Sequence, residues 1–284
     1  MRSALTGETL FATVLLTRQA TSELILVVEG DDDHFLFEAH INEHDVRLVR
    51  GTGGKSNVLH AAALAEQQRL RGVRFFVDSD FDALASPPVR YPENVTSSSN
   101  HDVLMDVLLA GQVLLHRVID THSRAARMAG TTFSTSDVRE QAFALAAAMV
   151  PLRIANETEQ WELRLRDFPL GNVSSLPVSE TELAAIAIGR SSTALAVETI
   201  TSGTARIADR LPQQHDQFVG DHDFFSALSR VLRDHGVTAG ARSLLTAFLA
   251  GLLCAHLGAT DWYRDLVGWG ETHGRMTFSC PCAA

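Results

Sequence analysis

The stretch Leu24-Ile25-Leu26-Val27-Val28-Glu29-Gly30-Asp31-Asp32-Asp33 decides how the rest of the chain is read. Five apolar residues run without interruption, as in a strand buried on both faces of a parallel sheet. The run then breaks into carboxylates. Val73-Arg74-Phe75-Phe76-Val77 repeats the pattern and breaks into Asp78-Ser79-Asp80-Phe81-Asp82. In open α/β sheets, ligands bind beyond the carboxyl ends of the strands. Two neighbouring strands of this kind would aim Glu29, Asp78, Asp80 and Asp82 into one crevice. Carboxylates so placed repel one another unless a cation lies between them. A hard divalent ion, Mg²⁺ or Mn²⁺, suits an all-oxygen site.

Outward from these strands the chain alternates. Residues 1–20 read as an amphipathic helix, and Asp31 to Asp33 cap a helix reaching about Ile41. Val46 to Val49 make a short strand, followed by the glycine loop Gly51-Thr52-Gly53-Gly54-Lys55-Ser56 and a helix from Asn57 to Leu70. The order β-α-β-α-β predicts a parallel sheet with right-handed crossovers. Ala85 to Asn94, with three prolines, is a loop. Val95 and Thr96 begin a further strand, Ser97 to Asn100 form a polar turn, and His101 to Leu115 are helical. Beyond lie helices and loops, among them Asp137–Met149, Glu180–Ile188, Phe224–His235 and Ala241–Leu257. The expected organisation is an α/β domain over 1–115 and a helical C-terminal domain over 116–284.

Composition bounds the function. With 284 residues, 45% hydrophobic and 20% charged, the chain can bury a core. A net charge of −10 argues against a broad nucleic-acid-binding face while leaving room for a local basic groove. Of the 24 basic residues only Lys55 is lysine. Cys254 lies in an apolar helical stretch and reads as a core residue, and Cys280-Pro281-Cys282 as a frayed tail, which together suggest a reducing, cytoplasmic compartment. Leu10 to Leu16 is too short for a signal h-region, and Leu244 to Leu257 is too short to span a bilayer, so no membrane association is expected.

Four motifs are candidates for chemistry. Asp78-x-Asp80-x-Asp82 places three carboxylates at alternating positions, on one side if the backbone stays extended. Capping alone needs fewer. Lys55 closes a glycine-rich turn before a helix, where backbone N–H groups and an ammonium can meet a phosphate; the rival reading is a tight turn with a solvated lysine. A P-loop is excluded, because that motif needs glycine where Val49 stands. His40 and His44 have helical metal-pair spacing but no third ligand, which favours a solvated face. His101-Asp102 and His222-Asp223 each open a helix, for which aspartate capping suffices.

Glu29-Gly30 with Asp33 after one strand, Gly53-Gly54-Lys55, and the Asp78-x-Asp80-x-Asp82 run after a later strand together resemble the TOPRIM pattern. More closely, the chain resembles a bacterial TOPRIM family of unknown function related to the OLD nucleases and typified by the effector of the PARIS anti-phage system. His101-Asp102, His222-Asp223 and the run around Trp262 and Trp269 extend the likeness over most of the chain. The resemblance implies a TOPRIM-like, mostly parallel sheet flanked by helices, and Mg²⁺- or Mn²⁺-assisted phosphodiester cleavage of DNA or RNA. It implies Glu29, Asp78, Asp80 and Lys55 as catalytic residues, and a metal held among Glu29, Asp33, Asp78, Asp80 and Asp82. An ABC-type ATPase and further copies of the chain are the other partners it suggests. Where the family carries a glutamate two positions after His-Asp, this chain has Leu104, with Asp106 as a substitute. That departure supports an alternative: a catalytically weakened module binding a partner ATPase or nucleic acid. A phosphatase or primase-like phosphotransferase is a third reading.

Overall fold

The computed structural model describes residues 6–85, 87, 89–212 and 215–279. The Cys280-Pro281-Cys282 tail, the first five residues and Pro88 of the proline loop lie outside the described residues. Elements in order are α1 (Gly7–Ala20), β1 (Leu24–Val28), α2 (Asp31–Glu38), β2 (Val46–Arg50), α3 (Lys55–Gln67), β3 (Val73–Val77), β4 (Val95–Ser97) and α4 (Val103–Ala110). Then follow α5 (Val113–Met128), α6 (Thr135–Ala147), α7 (Val150–Thr158), α8 (Glu180–Arg190), α9 (Val197–Ala208), α10 (Asp221–Asp234), α11 (Ala241–Ala250), α12 (Cys254–Leu257) and α13 (Asp261–Thr272).

All four strands are parallel, in the order β2-β1-β3-β4. Both faces of the sheet are covered, which is why β1 and β3 read as continuous apolar runs. Alternate residues serve alternate faces. Ile25, Val27, Phe75 and Val77 pack with Leu10, Phe11 and Val14 of α1 and Val58, Ala61, Ala62 and Ala65 of α3. On the other face, Phe76 meets the ring of Phe37 edge-on at 5.1 Å and that of Trp262 at 5.8 Å. Trp262 is 1% exposed. Truncating such a residue costs about 3–5 kcal/mol, by the usual range for buried aromatics.

The described residues of Met1–Gly111 and Leu252–Ala284 form one compact unit, and Gln112–Gly251 a second. Residues 252–279 therefore belong with the sheet, not with the helices that precede them. Physical ties explain this. Trp262 of α13 fills the Phe37–Phe76 face, Ile41 and Phe278 form an antiparallel bridge, and Arg74 of β3 pairs with Asp265 at 2.6 Å. The helix expected over 241–257 is two helices, broken at Gly251 to Leu253, and that over 101–115 is likewise broken at Gly111. The second unit is helical. Its α10 buries Phe224, Phe225, Ala227, Leu228, Val231 and Leu232, and packs most extensively on α6.

Candidate functional site

The strand order determines where the acidic segments go. From β1 the chain turns to β2 on one side, and from β3 to β4 on the other, so the connections diverge between β1 and β3. Such a switch point opens a crevice beyond the strand ends. Val27 is level with Phe75, and continuing that register sets Glu29 beside Val77 and Gly30 beside Asp78. The expected neighbouring of Glu29 and Asp78 thus follows from direct β1–β3 pairing.

Each carboxylate has a local reason for its position. Glu29 leaves β1 just before Gly30, the N-cap of α2, and Asp33 reaches back to accept the Gly30 N–H at 3.0 Å. Asp33 is 6% exposed. Asp78 accepts the Val103 N–H at 3.0 Å at the start of α4, where Asp102 caps the helix by accepting from Met105 at 2.8 Å. Asp102 thereby joins Asp33 and Asp78 in one buried field of negative charge. Its capping role was legible in the sequence; its place beside Asp33 was not.

Burial is the largest cause of the raised pKa values in the group. Burial pushes Glu29 up to about 7, reinforced by the charges of Asp80 and Asp33 and opposed by Lys55 and the Asp78 backbone N–H. Burial also pushes Asp33 up to about 6, with Asp102 adding to the effect and the Gly30 N–H opposing it. Asp78 lies well above the usual carboxylate range through burial and then the charges of Asp33, Asp102, Glu29 and Asp80. Glu29 Oε2 is buried and has no hydrogen-bond partner among the described residues.

Asp80 and Asp82 behave differently, and the expected single file of three carboxylates does not form. Asp80 adopts φ +49° while its N–H is held by the His101 carbonyl at 2.8 Å, and Asp82 opens a short 3₁₀ turn, Asp82–Leu84. The backbone is therefore not extended. Both carboxylates turn to Lys55, whose Nζ stands 3.1 Å from Asp80 Oδ2 and 2.6 Å from Asp82 Oδ2, and donates to the Ser79 carbonyl at 3.1 Å. Tyr91 donates its hydroxyl to Asp82 and lays its ring 5.8 Å from the ammonium. Burial alone would lower the Lys55 ammonium, but Asp82, Asp80 and Tyr91 together hold it above its ordinary value. Gly53 at φ +82° and Gly54 at φ +79° permit the turn that makes Lys55 the first residue of α3. The solvated-lysine reading is thus set aside. Tyr91 carried no sequence signal beyond being an aromatic in a proline-rich loop.

Among the described residues, no three His, Cys, Asp or Glu side chains converge in a form that holds a metal ion. The donor type nevertheless suits a hard cation: Asp33 raises the pKa of both Glu29 and Asp78, and one Glu29 oxygen has no hydrogen-bond partner among the described residues. The remaining motifs are structural. Asp106 accepts the N–H groups of Ser99 and Asn100 at 2.8 and 2.7 Å and so pins the turn before α4, while Leu104 is core. His40 is buried with its Nδ1 3.9 Å from Cys254 Sγ, whereas His44 is exposed beyond the end of α2, so the two do not form a pair. Asp223 is bound by Arg153. No protein-family model matches the chain, and no curated protein matches it in sequence. Among the described residues no helix is long and apolar enough to cross a membrane.

Proposed function

We propose that the chain is a TOPRIM-like, divalent-metal-dependent nuclease that cleaves phosphodiester bonds of DNA or RNA. One observation carries this reading: the buried, unpartnered Glu29 oxygen beside Asp33 and Asp78, at the point where the strand connections diverge. Glu29, Asp33 and Asp78 would hold Mg²⁺ or Mn²⁺, which supplies polarisation of a phosphoryl oxygen and a template for the phosphate. Glu29 is placed to hold or move a proton through its free oxygen. Lys55, at the N-terminus of α3, offsets part of the charge of Asp80 and Asp82 at the same edge and so lessens the repulsion of an anionic backbone. A role in cytoplasmic anti-phage defence, under the control of an ABC-type ATPase, fits this reading.

The test is cleavage of plasmid, single-stranded DNA and tRNA with Mg²⁺ or Mn²⁺, with and without EDTA. Glu29→Gln keeps the shape and removes the charge, and should lower the rate by ~10²–10⁴-fold, as for loss of a general acid or base. A folded Glu29→Gln protein of full activity would exclude the catalytic role. A second reading, an interaction module without strong catalysis, draws support from Leu104 in the core and from the described residues, among which no three ligands converge. It expects no cleavage from the unaltered chain and undiminished partner binding after Glu29→Gln.

A further inference from the structure

A polyanionic substrate needs positive charge to hold it, and the chain, at a net charge of −10, has little to spare. Its one lysine is occupied by Asp80 and Asp82. Many exposed arginines are spent in the same way: Arg47 is met by Glu23, Arg50 by Asp31, Arg206 by Glu159 and Arg264 by Asp261. Helix α5 is different. Its 16 residues hold Arg117, Arg124 and Arg127 against a single carboxylate, Asp120, and Arg127 takes that carboxylate at 3.1 Å. Arg117 and Arg124 are exposed, and their side chains have no ion pair or hydrogen bond among the described residues.

The two free arginines are seven positions apart, two turns of helix, so they share one face about 10 Å apart along the axis. Val113, four positions before Arg117, and Met128, four after Arg124, fall on that face and are 62% and 81% exposed. The opposite side is core, with Leu114, Leu115, Val118 and Ile119 buried. Helix α11 packs on α5 and carries no acidic residue. Helix α6, whose acidic residues are Asp137 and Glu140, meets α5 through Thr135 beside the Asp120–Arg127 pair. The exposed face is thus a line about 22 Å long, apolar at both ends and doubly cationic between. At about 3.4 Å per nucleotide of a stacked strand, the arginines match phosphates about three nucleotides apart. Val113 and Met128 offer apolar surface to unpaired bases, which only a single strand exposes.

We infer that the exposed face of α5 is a docking surface for a single-stranded nucleic acid, with Arg117 and Arg124 on its phosphates. The choice of partner rests on the nuclease reading; the inference adds a binding surface on a different set of residues.

The test is fluorescence anisotropy of a labelled single-stranded DNA oligonucleotide of mixed sequence with the full chain, in EDTA and over a series of salt concentrations, beside a duplex of equal length. Arg117→Gln/Arg124→Gln should weaken binding by about tenfold or more at low salt. It should also flatten the fall of log K with log salt by about 1.4, at ~0.7 per phosphate contact on a single strand. Arg117→Lys/Arg124→Lys keeps the charge and should keep the slope. Arg164→Gln/Arg166→Gln removes equal charge from two other exposed arginines of the same unit and should change neither quantity. Far-UV circular dichroism checks folding, and Arg124→Gln alone, with about half the change in slope, decides the matter if the double variant does not fold. An unchanged slope in Arg117→Gln/Arg124→Gln overturns the inference and would give the face to an acidic protein instead. Equal losses in the two glutamine pairs, or tighter binding of the duplex, also overturn it, and all three results leave the nuclease reading standing. An unaltered chain that neither binds nor cleaves nucleic acid overturns the nuclease reading as well.

Discussion

Both compact units bury charge, and they treat it in opposite ways. In the helical unit Asp223, 2% exposed, is met by Arg153, which donates to both carboxylate oxygens, one at 2.7 Å, and to the Leu165 carbonyl at 2.9 Å. That network is closed: the positive charge is supplied by the chain, and nothing further is needed. At the edge of the sheet, burial raises the pKa of Glu29, Asp33 and Asp78, and Asp33 adds to the shifts of the other two. Among the described residues none of the three forms an ion pair with a basic side chain, although Lys55 offsets part of the Glu29 shift. A buried charge that the fold neutralises holds structure together; one that it leaves uncompensated stores a preference for an external cation. The Lys55–Asp80–Asp82 seat, a few residues from Asp78, is compensated from within the chain, as Asp223 is.

The sharpest way to break the comparison is to open the closed network. Arg153→Met leaves Asp223 buried without a partner and should destabilise the chain by about 3 kcal/mol or more in denaturant unfolding, as for a broken buried pair. If Arg153→Met is neutral while Glu29→Gln is strongly destabilising, the two regions have been assigned the wrong way round. Next in size is the response to metal. At a hundredfold excess over its dissociation constant, Mn²⁺ should add ~2.7 kcal/mol to the sheet unit's stability, read as a higher melting temperature that EDTA reverses. An unchanged melting temperature at saturating Mg²⁺ and Mn²⁺ would remove the distinction.

Proton binding sharpens the same contrast with a smaller effect. The folded chain raises Glu29 from 4.5 to about 7 and Asp33 from 3.8 to about 6. Carboxyls raised in this way take up protons on folding, so the metal-free protein is most stable below the unfolded values and loses stability as pH rises from about 4 towards 7. Thermal melts across that window should fall with pH, and Glu29→Gln should flatten the upper part of the slope. A rising profile would show that the cluster is not repulsive. The smallest effect is expected from Tyr91→Phe, which removes the hydroxyl from Asp82 but keeps the ring beside Lys55. It should cost about 1 kcal/mol in unfolding, the net worth of a typical hydrogen bond. A loss several times larger would make Tyr91 a main support of the loop.

Much of the sheet was legible because its signals are local. Leu24–Val28 and Val73–Val77 declare buried strands by uninterrupted apolarity, the acidic breaks mark their carboxyl ends, and Asp102 announces the start of α4 as a cap. These readings depend on neighbours within one turn or one strand, where backbone sterics and side-chain period act. The α2 and α3 helices and the glycine turn before Lys55 were legible for the same reason.

What the tertiary structure alone decided is which distant groups meet. Nothing near Trp262 or Phe278 says that they cover the sheet; the unfilled face beside Phe37 and Phe76 selects them. Local pattern likewise made Asp78, Asp80 and Asp82 equivalent, alternating carboxylates on one run. They became different because Asp80 takes a left-handed turn, Asp82 enters a 3₁₀ turn, and Lys55, some 25 residues earlier, is delivered between them by the packing of α3 on the sheet. Sequence determined that this chain would gather carboxylates at the end of a buried sheet. Which of them found a cation within the chain was settled by long-range packing, since charge compensation depends on distances that local sequence does not set.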